Sequence, residues 1–210
     1  MPFNRKISGN DFVIGIWKID ESPEDLYNLV ALPEADAARY DSFTSERRKR
    51  EFLAVRCILA HLCGEIPEIK YTEWGKPSLA NGSQSISISH SQEFAAVVLS
   101  RKTMGIDIES LSRNIEKVAR RFLSAQELKW INRLPDAHSA EIIAWCAKEA
   151  IFKMIGHTDV EFREQITLFP FDPEKDKTFE AHFAHPAKSG KVNVNFELLE
   201  NNAIVWCFNF

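Results

Sequence analysis

Residues 94–109 read Phe94-Ala95-Ala96-Val97-Val98-Leu99-Ser100-Arg101-Lys102-Thr103-Met104-Gly105-Ile106-Asp107-Ile108-Glu109. Residues 94–99 form an unbroken apolar run, short enough to be a strand buried on both faces. From Met104 the pattern alternates, which puts Asp107 and Glu109 on one face of a strand and Ile106 and Ile108 on the other. Residues 100–103 interrupt the apolar character. They mark the boundary between an N-terminal half, residues 1–102, and a C-terminal half, residues 103–210, which carries the acidic strand.

Each half reads the same way outward from this boundary. Before it, residues 85–89 alternate as a half-buried strand does, and residues 12–19 read as another strand. Residues 23–30 form a short helical stretch, and a long helix runs from Ser45 to Gly64 with Phe52, Val55, Leu59 and Leu62 on one face. Turn signals at Trp74-Gly75-Lys76-Pro77 and Asn81-Gly82 separate that helix from the strands. After the boundary, helices are predicted over residues 115–122, behind the cap signal Ser124-x-x-Glu127, and over 139–155 with Gly156 as the stop. Strand-like runs follow at residues 165–169, 178–183, 192–199 and 204–208. One long helix and a small set of strands in each half define an α+β fold.

A chain of 210 residues is one large or two small domains, at about 150 residues per domain. With 45% hydrophobic and 27% charged residues it is neither a disordered chain nor a disulfide scaffold. Lys plus Arg is 26 against 30 Asp plus Glu, a net charge of −4, which excludes a protein whose main task is coating nucleic acid. Cys57, Cys63, Cys146 and Cys207 show no C-x-x-C spacing and suit a reducing cytoplasm. The apolar run at residues 12–17 is too short for a signal peptide, and no stretch approaches the roughly 18 apolar residues of a membrane helix. The expectation is a soluble cytoplasmic protein with no nucleic-acid or membrane partner.

Three clusters carry candidate chemistry. Asp107 and Glu109 repel each other on one strand face, and hard oxygens at that separation suit magnesium; a plain solvated acidic face has the same pattern. In Trp145-Cys146-Ala147-Lys148-Glu149-Ala150-Ile151-Phe152-Lys153, Glu149 and Lys153 are four apart and share a helix face. They either pair with each other, or Glu149 completes a three-carboxylate metal site while Lys148 and Lys153 meet phosphates. In Ser87-Ile88-Ser89-His90-Ser91 there is no G-x-S-x-G elbow, so hydroxyls and an imidazole point to phosphate binding rather than to a hydrolase. Cys57 with His61, and His182 with His185, lack the partners a zinc site needs. The basic run Arg47, Arg48, Lys49, Arg50 and Arg56 fits a solvated helix face.

These pieces stand in a specific order: Arg50-Glu51-Phe52-Leu53-Ala54-Val55-Arg56, Gly75-Lys76-Pro77, Ser87-Ile88-Ser89-His90-Ser91, Gly105-Ile106-Asp107-Ile108-Glu109, and Trp145-x-x-Lys148-Glu149-Ala150-x-x-Lys153. In that order the chain resembles the Sfp-type 4′-phosphopantetheinyl transferases. The resemblance implies a pseudo-dimer of two similar α+β halves with coenzyme A in the cleft between them. It implies transfer of 4′-phosphopantetheine from coenzyme A to a serine of an apo acyl or peptidyl carrier protein, with release of 3′,5′-ADP, by a monomer. Asp107, Glu109 and Glu149 would hold magnesium on the diphosphate, with Lys153 and Lys148 on the same phosphates and Glu149 as the base. Lys76, Ser89 and His90 would hold the nucleotide end, the last two near the 3′-phosphate, with Arg39 and Arg50 as further basic contacts. Ser87 stands where many members carry Asn, and Cys146 where a hydroxyl or small residue is usual.

Carrier proteins present an acidic helix, so an enzyme of net charge −4 needs a local basic patch to attract one. Lys117, Arg120 and Arg121, with Phe122 as an apolar anchor, form the best such patch. Two other functions use some of the same residues. Another magnesium-dependent phosphotransferase or nuclease would explain the acids but not Gly75-Lys76-Pro77 or Ser89-His90. A non-catalytic coenzyme A-binding module would leave Glu149 and Lys153 as a simple pair.

Overall fold

Antiparallel strands wrapped against one long helix recur twice along the chain, once in each of two compact units, Met1–Lys102 and Thr103–Phe210. The structure, a computed structural model, describes residues 3–209. The first unit contains β1 (Phe3–Ser8), β2 (Phe12–Lys18), α1 (Pro23–Asn28), α2 (Glu34–Asp41), α3 (Glu46–Cys63), β3 (Ile69–Tyr71), β4 (Pro77–Leu79), β5 (Ser85–His90) and β6 (Phe94–Ser100). The second contains β7 (Met104–Ser110), α4 (Glu116–Phe122), α5 (Ala125–Ile131), α6 (Ala137–Ile155), α7 (Phe162–Gln165), β8 (Ile166–Leu168), β9 (Thr178–His185), β10 (Lys188–Leu199) and β11 (Asn202–Asn209). The architecture is α+β.

Local chemistry sets the ends of both long helices. The Ser45 side chain accepts the Arg48 N–H at the start of α3, and Gly64 ends it with φ +81°. The Asp136 carboxylate accepts the Ser139 N–H at the start of α6, and Gly156 ends it with φ +74°. The inward face of α3, with Leu53, Ile58 and Leu59 fully buried, packs on β2 and β6. In the second unit Ile143, Ala147, Ala150 and Ile151 of α6 pack on β7 and β11. Both cores are driven by apolar burial along one helix stripe, as the spacing predicts.

The sheets share a strand order. In the first unit the order is β1-β2-β6-β5, and in the second β7-β11-β10-β9-β8, every pair antiparallel. If the leading edge strand β1 is set aside, the first strand of each unit pairs with its last, which pairs with the next to last: β2-β6-β5 and β7-β11-β10. The long helix follows that first strand in both units.

Several elements escaped the sequence reading. β1 carries Arg5 and Lys6 and lies at a sheet edge, where charged residues are tolerated and apolar alternation is not required. α2, with the sequence Glu-Ala-Asp-Ala-Ala-Arg-Tyr-Asp, forms on intrinsic helix preference rather than on an apolar stripe. The pair β3–β4 is only three residues a strand and flanks the Trp74-Gly75 turn, where Gly75 takes φ +81°. β10 starts at Lys188 because its first residues pair with β9 across the Pro186-Ala187 turn.

Candidate active site

The acidic strand and the long helix of the second unit meet at a glycine. A Cβ on Gly105 would lie 1.8 Å from the Ala150 carbonyl oxygen, so only glycine lets α6 pass this close to β7. Two residues on, Asp107 lies on the same face of β7 and is buried. Lys153, one turn beyond Glu149 on α6, donates to Asp107 Oδ1 at 2.7 Å and to the Ile106 carbonyl at 3.0 Å. Lys153 therefore turns to the strand rather than to Glu149. Glu109 pairs with Arg113 and accepts the Ser110 N–H at 3.0 Å, and the Arg113 guanidinium lies 5.3 Å from the Trp145 ring.

Glu149 completes the acidic group. Burial pushes its carboxyl above the ordinary range, and the charge of Asp107 pushes in the same direction, with Glu109 adding a smaller share. Lys153 and Arg113 oppose that shift. The donor set of Asp107, Glu109 and Glu149 is all hard oxygen, the chemistry a magnesium ion takes, but among the described residues the group whose ligand atoms come within 4.8 Å of one another is His157, Asp159 and His185. The Cys146 thiol is fully buried beside them, and burial followed by the Asp107 charge holds it well above its usual range. It is a packed side chain and not a nucleophile.

Lys148 corrects one expectation. Its ammonium is not presented to a ligand: it is fully buried and donates to Glu127 at 2.9 Å, to the Phe162 carbonyl at 3.0 Å and to the Ile166 carbonyl at 2.7 Å. These three acceptors match the three protons of an ammonium group. Glu127 in turn accepts the N–H groups of Ser124 and Leu168, at 2.7 and 2.8 Å. Burial lowers the Lys148 pKa, and the Glu127 charge works against it. Lys148 ties α6 to α5 and to the start of β8; it is a structural residue.

The nucleotide-end candidates fall in the first unit, where a cleft of about 540 Å³ is walled by α3, the β3–β4 turn and the end of β5. Arg39, Gly75, Pro77 and His90 line it. Arg39 stacks on the Tyr71 ring at 3.9 Å. Lys76 is exposed between the two lining residues Gly75 and Pro77. Ser89 is buried while His90 is exposed, the two side chains pointing to opposite faces of β5, and neither Ser89 nor Arg50 is among the described residues lining the cleft. The sequence reading named Arg50 alone of the basic run as a ligand contact and missed Arg47, Arg48 and Arg56, which line the cleft. Arg56 is almost wholly buried and is held by Asp36 through two bonds of 2.6 and 3.0 Å. It also missed Glu51, which lines the same cleft.

The proposed docking patch is half corrected. Lys117, Arg120 and Arg121 are exposed on α4, but Phe122 is buried and packs edge-on against Trp145 with centroids 4.9 Å apart. On a helix this short, Ala119 and Phe122 share the inward face, so Phe122 is core and not a surface anchor. His185, for its part, meets His157 and Asp159 and not His182: the His157 and His185 rings stack at 4.7 Å, and Asp159 Oδ1 lies 3.1 Å from His185 Nε2. His185 Nδ1 accepts the Ala187 N–H at 3.2 Å, and its buried Nε2 makes no hydrogen bond despite lying 3.1 Å from Asp159 Oδ1.

Each α+β unit carries one charged feature: the second an acidic strand to which a helical lysine bonds, the first a basic cleft. The model of the 4′-phosphopantetheinyl transferase superfamily matches residues 103–207. The 4′-phosphopantetheinyl transferase HetI of Nostoc sp. is 31% identical over 79% of this chain and 78% of its own length. The 4′-phosphopantetheinyl transferase AcpT of Escherichia coli O157:H7 is 32% identical over 61% of this chain and 68% of its own. The chain belongs to the 4′-phosphopantetheinyl transferase superfamily and is an enzyme of that class.

Proposed function

We propose that this enzyme moves 4′-phosphopantetheine from coenzyme A to a serine of an apo acyl or peptidyl carrier protein and releases 3′,5′-ADP. The observation that carries the reading is the bond of Lys153 to Asp107 where Gly105 lets α6 close on β7, with Glu149 one helical turn before Lys153, within the family-matched segment. Asp107, Glu109 and Glu149 would hold magnesium. Held there, the ion would supply charge neutralisation for the diphosphate.

The chain's own groups account for the remaining steps. Lys153 exchanges part of its bond to Asp107 for a phosphate oxygen. Glu149, its carboxyl pKa raised by burial, takes the serine proton as the hydroxyl attacks the β-phosphorus. The new Ser O–P bond forms as the bond from the β-phosphorus to the bridging oxygen breaks, and that oxygen leaves with 3′,5′-ADP. His90 and Arg39, with Lys76, Ser89 and Arg50 close by in sequence or fold, hold the nucleotide end.

The pseudo-dimer belongs to the same proposal and is supported by the shared strand order of the two units. So does action as a monomer in the cytoplasm with no nucleic-acid or membrane partner. Four free thiols and a net charge of −4 support it. Among the described residues no helix is long and apolar enough to cross a membrane.

Incubation with apo carrier protein, coenzyme A and magnesium tests the reading by mass spectrometry. The expected result is a gain of one phosphopantetheine per carrier, abolished by chelation and by Asp107→Ala or Glu149→Ala, with Glu109→Ala less severe because water can take one magnesium position. Wild-type transfer by either of the first two variants would overturn the metal assignment.

A further inference from the structure

Two carboxylates lie in or beside a cleft whose other charged walls are Arg39, Arg47, Arg48 and Arg56. One is explained by folding: buried Arg56 requires a counter-charge, and Asp36 supplies it with two bonds. Glu51 has no such reason. Its partner Arg47 has a side chain 61% exposed, which water can solvate, whereas the Glu51 side chain is only 11% exposed. A carboxylate there repels the phosphate that the surrounding arginines attract.

What Glu51 does is bridge two groups. Its Oε1 accepts from Arg47 Nε at 2.7 Å and lies 3.4 Å from His90 Nδ1. A carboxylate only accepts, so the pairing is favourable when that ring nitrogen carries a proton. That contact fixes which edge of the His90 ring turns to α3, and a ligand in the cleft meets the ring through Nε2. Glu51 comes from the second turn of α3 and is itself held by that helix, while His90 is the last residue of β5 and its side chain is 45% exposed. An exposed ring at a strand end needs such an anchor to keep one orientation.

We propose that Glu51 is a positioning residue: it holds His90 in the orientation that binds the 3′-phosphate of coenzyme A, and thereby sets the preference for coenzyme A over 3′-dephospho-coenzyme A. The inference rests on the reading that His90 meets that phosphate. Its cost is some repulsion of the ligand; its gain is selectivity for one phosphate position.

Steady-state KM values for coenzyme A and for 3′-dephospho-coenzyme A test it, in wild type, Glu51→Met, Glu51→Gln, His90→Ala and the double variant Glu51→Met/His90→Ala. Glu51→Met is expected to raise the coenzyme A KM about tenfold, the scale of one charge-assisted hydrogen bond, and to leave the dephospho value within about twofold. Glu51→Gln keeps an acceptor oxygen and recovers most of the loss, and in the His90→Ala background Glu51→Met adds nothing. Equal rises for both substrates, or additive effects in the double variant, overturn the role of Glu51 while the coenzyme A reading stands. If His90→Ala itself fails to separate the two substrates, the placement of His90 on the 3′-phosphate is wrong, and the Glu51 inference falls with it.

Discussion

Gly105 lies directly beneath the Ala150 carbonyl, at a separation that no side chain survives. The contact brings the acidic face of β7 under Glu149 and Lys153, and it explains why the first letter of Gly-Ile-Asp-Ile-Glu matters as much as its acids. Gly105→Ala is expected to cost about 1–3 kcal/mol of stability, since backbone and not a flexible side chain must give way. It is also expected to lower kcat/KM about a hundredfold by displacing Glu149 from Asp107. Denaturant unfolding and carrier loading on the same preparation check both. A fully active Gly105→Ala would show that the close approach is not what assembles the site.

The two lysines of the helix motif have opposite jobs. Lys148→Met strands the buried Glu127 carboxylate and is expected to destabilise the protein by about 3 kcal/mol, while the folded fraction keeps its activity. Lys153→Met, at the lysine proposed to meet the phosphates, is expected to cut kcat/KM about a hundredfold in the folded protein as well as to cost stability by leaving the buried Asp107 carboxylate without its ammonium. Parallel melting curves and transfer assays distinguish them, and matching effects in the two variants would contradict the burial of Lys148.

Glu149 couples stability to pH. Its folded pKa is raised above the ordinary value of 4.5 by burial and by Asp107. A carboxyl shifted this way adds stability that is complete below its unfolded pKa and is lost as pH rises through the folded value. Ionised Glu149 therefore opposes folding at neutral pH in metal-free protein. Glu149→Gln should raise the Tm there by roughly 2 °C, with the gap closing as the pH falls below the ordinary glutamate value. Magnesium should stabilise wild type and not the variant. A Tm unchanged by Glu149→Gln across the whole range would mean that neither burial nor Asp107 disfavours the ionised carboxyl in the folded protein.

Carrier docking, as proposed, depends on charge and not on Phe122. Reversing Arg120 and Arg121 to Glu should raise the KM for apo carrier protein about fivefold, leave that for coenzyme A unchanged and flatten the salt dependence. Equal effects on both substrates would move the docking surface elsewhere. Truncating Phe122 should instead unfold the protein in part, because the ring is packed against Trp145.

Much of this was legible in the linear chain, and for local reasons. Period-two alternation alone places Asp107 and Glu109 together and apart from Ile106 and Ile108. The Ser45 and Ser124 caps and the Gly64 and Gly156 stops are set by neighbouring backbone groups, so they read correctly without a fold. Helical spacing even contained the Lys148 answer: Lys153 follows Glu149 by four residues and shares its face, while Lys148 points about 100° away from it. What no spacing reveals is what each face meets. Glu127 is a capping residue by sequence, and only tertiary packing makes it the partner of Lys148. Phe122 beside two arginines looks like a surface anchor until Trp145 covers it, and Glu51 is one more charge in a basic run until β5 brings His90 to it. Periodicity determines the relative directions of side chains on one element; whether a direction leads to water, to a carboxylate or to the core depends on contacts between residues far apart in sequence, and the energy of a charge follows from that environment.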